Sequence, residues 1–167
     1  KRMLPGTPSV IIRLASRMQG FYVAKGNPND INDWDDLKRQ DISIVCREKG
    51  SGTRVLLDEH LRLLGISGHR VKGYEREIPS HLTVASTIAR GGADFALGNE
   101  KTALQVKEID FIPMQEEKYD LIIKKQDMEK TAFRTVMEIV RSPEFKAELT
   151  GIGGYGLDET GRIIAET

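Results

Sequence analysis

VCREKGSGTRVLLDEHL, residues Val45 to Leu61, decides how this chain is read. An apolar, β-rich run ends at Cys46. Gly50-Ser51-Gly52-Thr53-Arg54 follows, and then Leu56, Leu57, His60, Leu61 and Leu64 recur at helical spacing until Gly65 stops them. The pattern is strand, tight polar turn, helix. A helix start carries up to four unpaired N–H groups and a partial positive charge. Glycines let the backbone approach a bound group, hydroxyls add donors, and an arginine fork suits an oxyanion or carboxylate. Two readings of the turn stand together: Ser51 or Thr53 caps the helix, or Ser51, Gly52, Thr53 and Arg54 hold an anion. The spacing is not that of a Walker P-loop.

Strands and helices alternate outward from this stretch. Ser9 to Leu14 and Phe21 to Ala24 read as two strands, and Asp33 to Lys38 as a short helix with an acidic first turn. Ile42 to Cys46 reads as a buried strand and Val71 to Tyr74 as another. Ser80 to Arg90 repeats the helical pattern and ends at Gly91-Gly92. Asp94 to Leu97 is a strand that turns at Gly98-Asn99-Glu100 into a helix reaching about Val106. Ile109 to Met114 and Tyr119 to Lys124 are strands, Lys130 to Val140 is a helix, and Ser142-Pro143 restarts a second one. Such alternation implies an α/β fold with a mostly parallel sheet, whose ligands sit beyond the carboxyl ends of the strands. That directs attention to two further helix starts. At the first, Ser80 is an N-cap candidate with His81 and Thr83 in the opening turn. At the second, Asn99 and Glu100 follow a strand.

Composition narrows the function. The chain has 167 residues, 39% hydrophobic and 30% charged, with 25 basic and 25 acidic residues and a net charge of +0. A neutral balance argues against direct nucleic-acid binding. No stretch approaches the roughly 18–20 apolar residues of a membrane span. The single cysteine, Cys46, allows no internal disulfide and reads as a buried, inert thiol. His60, on the apolar side of its helix, reads as a packed histidine. No nucleophile–base pair, metal-ligand spacing or catalytic motif stands out, so no catalytic residue, metal ligand or cofactor is assigned. Lys1-Arg2-Met3-Leu4-Pro5-Gly6 has no apolar signal region and reads as an entry into mid-structure. A cytoplasmic location is expected.

Five stretches in order resemble one family: NPNDINDWDDL (27–37), VCREKGSGTRVLLDEHLRLLGI (45–66), GYEREIPSHLTVASTIARGGADFALG (73–98), IDFIPMQEEKYDLII (109–123) and GGYGLDETGRII (153–164). Together they are similar to the periplasmic-binding-protein-like domain found in MoeA-type molybdopterin-biosynthesis proteins and behind helix-turn-helix modules in regulators. The resemblance covers nearly the whole chain. It implies a type II periplasmic-binding-protein-like fold of two α/β lobes with a ligand cleft. Residues 24–113 would form the central lobe, and 1–23 with 114–167 the other, lacking its N-terminal part. It further implies that Ser51, Gly52 and Thr53 bind an oxyanion, with Ser80, His81 and Thr83 forming a second helix start in the same lobe. The implied function is a small-ligand sensor for molybdate, tungstate or a molybdopterin-related ligand. A covalently linked catalytic or DNA-binding module would accompany it. Two alternatives stay open: a part of a MoeA-type biosynthetic enzyme, and a LysR-like effector domain for an organic carboxylate. Strand edges exposed by a truncated lobe permit a homodimer.

Overall fold

In the computed structural model, which describes residues 6–167, the chain separates into two compact units. A central unit spans Met18–Gln115, and a terminal unit combines Lys1–Arg17 with Glu116–Thr167. The divisions fall at 17/18 and 115/116, where the sequence reading placed them at 23/24 and 113/114. Lys1 to Pro5, the start of the chain, lie outside the described residues.

Two long strands pass through both divisions. β1 (Ser9–Ala24) is one 16-residue strand where two were expected. β5 (Ile109–Lys124) likewise joins two expected strands into 16 residues. Their polar middles, Ala15 to Gly20 and Gln115 to Lys118, interrupt the apolar pattern but not the extended backbone. Between them the central unit holds β2 (Cys46–Arg47), α1 (Gly52–Leu63), β3 (Glu77–Ile78), α2 (His81–Ala89), β4 (Phe95–Asn99) and α3 (Glu100–Ala103). The expected helix at Asp33 to Lys38 is a 3-10 turn, Trp34–Lys38, closed by a capping box between Asp33 and Asp36. The expected strand at Val71 to Tyr74 is a turn, and the strand is β3 instead. Gly73 explains the shift: its φ is +92°, and a Cβ there would collide with the Ile44 carbonyl.

Pairing is mixed rather than mostly parallel, and the strands form two sheets, one with the order β4-β1-β5 and β6 also on β1, the other β2-β3. β4 runs antiparallel to β1, with Phe21 opposite Leu97. β2 and β3 pair in parallel, with Cys46 opposite Glu77 and Arg47 opposite Ile78. A parallel bridge joins Ile44 to Phe95. Alternation then sorts side chains onto two faces. Phe21, Val23, Ile44, Cys46, Phe95 and Leu97 pack with Leu57 and Leu61 of α1. Tyr22, Val45 and Ala96 pack with Val84, Ala85 and Ile88 of α2. The strand expected at Ile42 to Cys46 is reduced to a bridge at Ile44 and to β2 from Cys46 onward, but both faces of the run are covered, which is why it does not alternate in sequence. Each buried leucine of α1 contributes about 1.5–3 kcal/mol. Burial also pushes the Cys46 thiol up to about 12, as suits an inert core cysteine. Trp34 stacks face to face on His60 of α1, centroids 3.6 Å apart and planes 4° from parallel.

In the terminal unit, α4 (Thr131–Arg141) and α5 (Pro143–Ile152) are separated by Ser142, which caps α5 by accepting from the Phe145 amide at 3.1 Å. β6 (Ile163–Glu166), not anticipated from sequence, pairs antiparallel with Val10 to Ile12 of β1. Val10, Ile12, Ile123 and Met137 form the buried cluster. Arg13 is buried as well, and donates to Asp120 at 2.5 Å and Glu159 at 2.8 Å. No described helix is long and apolar enough to cross a membrane.

Candidate functional site

Parallel pairing fixes where the helices of the central unit begin. β2 runs into α1 through Glu48 to Ser51, and β3 runs into α2 through Pro79 and Ser80. Because the two strands lie side by side and point the same way, both helix starts open on one sheet edge. The parallel bridge to Phe95 brings the end of β4 to that edge, where Asn99 leads into α3.

Ser51 is the N-cap of α1. Its hydroxyl accepts from the Arg54 amide at 3.2 Å and donates to the Glu48 carbonyl at 2.9 Å. Among the described residues, no group accepts from the amides of Gly52 and Thr53. Thr53 is 2% exposed, and its hydroxyl is buried without a hydrogen-bond partner. Capping and spare donors therefore coexist at this helix start, so the two readings of the turn do not compete. At α2 the Ser80 hydroxyl accepts from the Thr83 amide at 3.4 Å. Thr83 is exposed and His81 half-buried in the opening turn. Asn99 is buried: its side chain caps the short α3 by accepting from Thr102 at 2.9 Å, and its carbonyl accepts from the Tyr22 hydroxyl at 2.7 Å. Glu100 is half-buried beside it.

Arg54 does not present an open fork. It is 1% exposed and donates to Asp58 at 3.0 Å and Glu77 at 3.2 Å. Its guanidinium lies 4.0 Å over the Tyr74 ring, and the Tyr74 hydroxyl donates to the same Asp58 oxygen at 2.8 Å. Burial alone would lower the arginine's pKa, but Tyr74 and Asp58 raise it instead. One nitrogen, Nη2, is buried without a partner. This arginine ties α1 to β3 and holds the helix start in place.

Sequence reasoning passed over Arg47. It donates to both Glu48 oxygens at 2.8 Å and to the Pro79 carbonyl at 3.3 Å, so it spans the loops before α1 and α2. Arg47 holds the Glu48 carboxyl below the usual carboxylate range, with further help from the Glu48 backbone amide and His81. The only signal in the sequence was its place at the carboxyl end of a buried strand.

A cavity of about 190 Å³ in the terminal unit is lined by Arg13, Ser16, Glu116, Gly156, Asp158 and Glu159. Its three acids face one arginine already paired, which disfavours an anion there. Among the described residues, no group of three or more His, Cys, Asp or Glu side chains gathers as a metal would require.

A two-faced α/β unit with polar helix starts at the carboxyl edge of its parallel strands defines a ligand-binding domain of the type II periplasmic-binding-protein-like fold. The family model described as a PBP superfamily domain matches residues 1–141, and the chain belongs to that family. It is 61% identical over 112 residues to an uncharacterized protein from the ferredoxin 2Fe-2S gene 5′ region of Clostridium pasteurianum, covering 67% of this chain and 99% of that protein. It is 43% identical over 167 residues to the uncharacterized protein YvgK of Bacillus subtilis, and spans 53% of that protein's length. Among solved structures, a glutathione-import study of GshT in Streptococcus mutans matches at a TM-score of 0.64 and 13% identity, covering 95% of this chain and 69% of that one. The ancestral amino-acid-binding protein AncCDT-1 matches at 0.62 and 15% identity, covering 89% and 64%. AbpA from Streptococcus pneumoniae, bound to L-arginine, matches at 0.62 and 12%, covering 91% and 63%. At these identities the likeness concerns the fold.

Proposed function

We propose that this chain is a small-ligand sensor domain that seats the anionic group of its ligand on the starts of α1 and α2. The observation that carries the reading is the buried, unpartnered hydroxyl of Thr53 beside the open amides of Gly52 and Thr53. Leaving such a hydroxyl unpaired costs about 1–3 kcal/mol, which an acceptor anion would recover. The helix dipole adds attraction of the same sign.

Local charge favours a singly charged carboxylate as that group. Arg47, Lys49 and Arg54 are matched at this edge by Glu48, Asp58 and Glu77. A dianion such as molybdate or tungstate would meet no cationic excess. The resemblance in sequence supports the oxyanion, while the amino-acid ligands named for several fold neighbours support the carboxylate. Binding would shift a conformational population read by a further module in longer relatives. No catalytic role is assigned to any residue here.

Calorimetric titration with amino acids, dicarboxylates, molybdate, tungstate, sulfate and phosphate tests this. Heat with a carboxylate is the expected result, and heat with molybdate or tungstate alone would restore the oxyanion reading. Thr53→Val should weaken binding about tenfold while raising stability, because it removes a donor the ligand uses and the free protein leaves unpaired. Absence of heat with every compound would overturn the reading.

A further inference from the structure

We infer that Arg47, not Arg54, is the cationic contact for the ligand's anionic group, and that the Glu48 carboxylate occupies its fork until the ligand displaces it. The inference rests on the reading of the α1 and α2 starts as the binding edge.

Arg47 and Arg54 both bind carboxylates, but differently. Arg54 is fully buried, stacked on Tyr74 and fixed by two acids from separate elements. Releasing it would uncover a buried charge. Arg47 is held by its own neighbour in sequence, whose side chain is 41% exposed. Arg47 itself is only 10% exposed, so the pair opens to solvent on the Glu48 side alone; there water and salt screen it, and Glu48 regains hydration on leaving. The position is also right. Through Nη2, Arg47 touches the Pro79 carbonyl at the approach to α2, and the loop that begins with its neighbour Glu48 caps α1. A planar fork placed between two helix starts can turn from Glu48 to an incoming carboxylate in the same bidentate geometry. Glu48 thus acts as a built-in competitor that sets how much ligand the site needs.

Glu48→Gln tests this, because the side chain is partly solvated and the change leaves the fold intact. L-arginine, L-glutamate, sulfate and molybdate serve as probes for wild type, Glu48→Gln, Arg47→Met and the double variant. Glu48→Gln should tighten the probe that binds by about three- to fivefold, the range expected for removing one ion-pair competitor that is open to solvent on its carboxylate side. The gain should vanish in the Arg47→Met background. Equal or weaker binding by Glu48→Gln overturns displacement while leaving the binding edge standing; a weaker result would make Glu48 a direct contact for a cationic part of the ligand. If neither wild type nor Glu48→Gln binds any probe, both readings fall. Should Arg47→Met fail to fold, Arg47→Lys replaces it. Its loss of the bidentate fork should remove most of the gain.

Discussion

Both units bury an arginine between two carboxylates, and the two clusters differ in what they join. Arg54 in the central unit meets Asp58 and Glu77, all within 23 positions of chain. Arg13 in the terminal unit meets Asp120 and Glu159, which lie 107 and 146 positions away. Arg54 also rests on an aromatic ring, while Arg13 has no ring beneath it among the described contacts. The first cluster fixes the orientation of one helix start. The second closes long loops, so it couples segments that sequence order keeps apart.

Removing each arginine sharpens the contrast. Arg54→Met should cost about 3 kcal/mol in urea unfolding, and Arg13→Met about 2 kcal/mol. Both values sit at or below the low end for buried pairs, because the four carboxylates keep 29–44% of their side-chain exposure. Equal losses would mean that the Tyr74 ring adds nothing. Tyr74→Phe isolates the hydroxyl: it keeps the ring under Arg54 and deletes the bond to Asp58, for an expected loss of about 1 kcal/mol. The Arg13→Met effect should be unchanged in that background.

Acid tests the central unit from another side. Burial works against ionised Asp36, yet the amides of Asn32 and Asp33 and the Arg39 side chain hold its pKa below 3.8. Lys25 does the same for Asp110, helped by the Gly26 amide. A carboxylate depressed on folding adds stability that is complete above its unfolded value and fades as pH falls through the folded one. Urea midpoints of the central unit should therefore hold from pH 7 to about 5 and fall below pH 4. Asp36→Asn should lower the plateau and flatten that fall, and an unchanged acid limb would show that Asp36 is not a contributor.

What the sequence revealed follows the range of the physics involved. α1, α2 and α5 were legible because their caps and stops lie within a turn of the helix: Ser51, Ser80, Ser142, and the glycines at 65 and 91. The continuity of β1 and β5 was not, since backbone pairing carries a polar middle that side-chain pattern marks as a break. β6 escaped notice because all four of its residues are exposed and no buried stripe announces it. At the site, the positions of Ser51, Thr53 and Ser80 were readable, but the fate of Arg54 was not. Its i,i+4 partner Asp58 lies on the same helix, whereas Glu77 and the Tyr74 ring reach it only through the β2–β3 pairing.

The Trp34–His60 stack gives the protein an optical gauge. The chain has one tryptophan, and its indole lies flat on an imidazole carried by α1, the helix whose first turn forms the candidate site. The His60 ring is anchored in turn by a 3.0 Å contact with Gln115. Emission from the single tryptophan therefore depends on this stack and on the Phe21 ring that meets it edge-on at 5.0 Å. Any tilt of α1 away from the Trp34 turn unstacks the indole and changes its brightness and wavelength, with no dye attached. Occupancy of one end of the helix becomes visible at its side, in light rather than in heat.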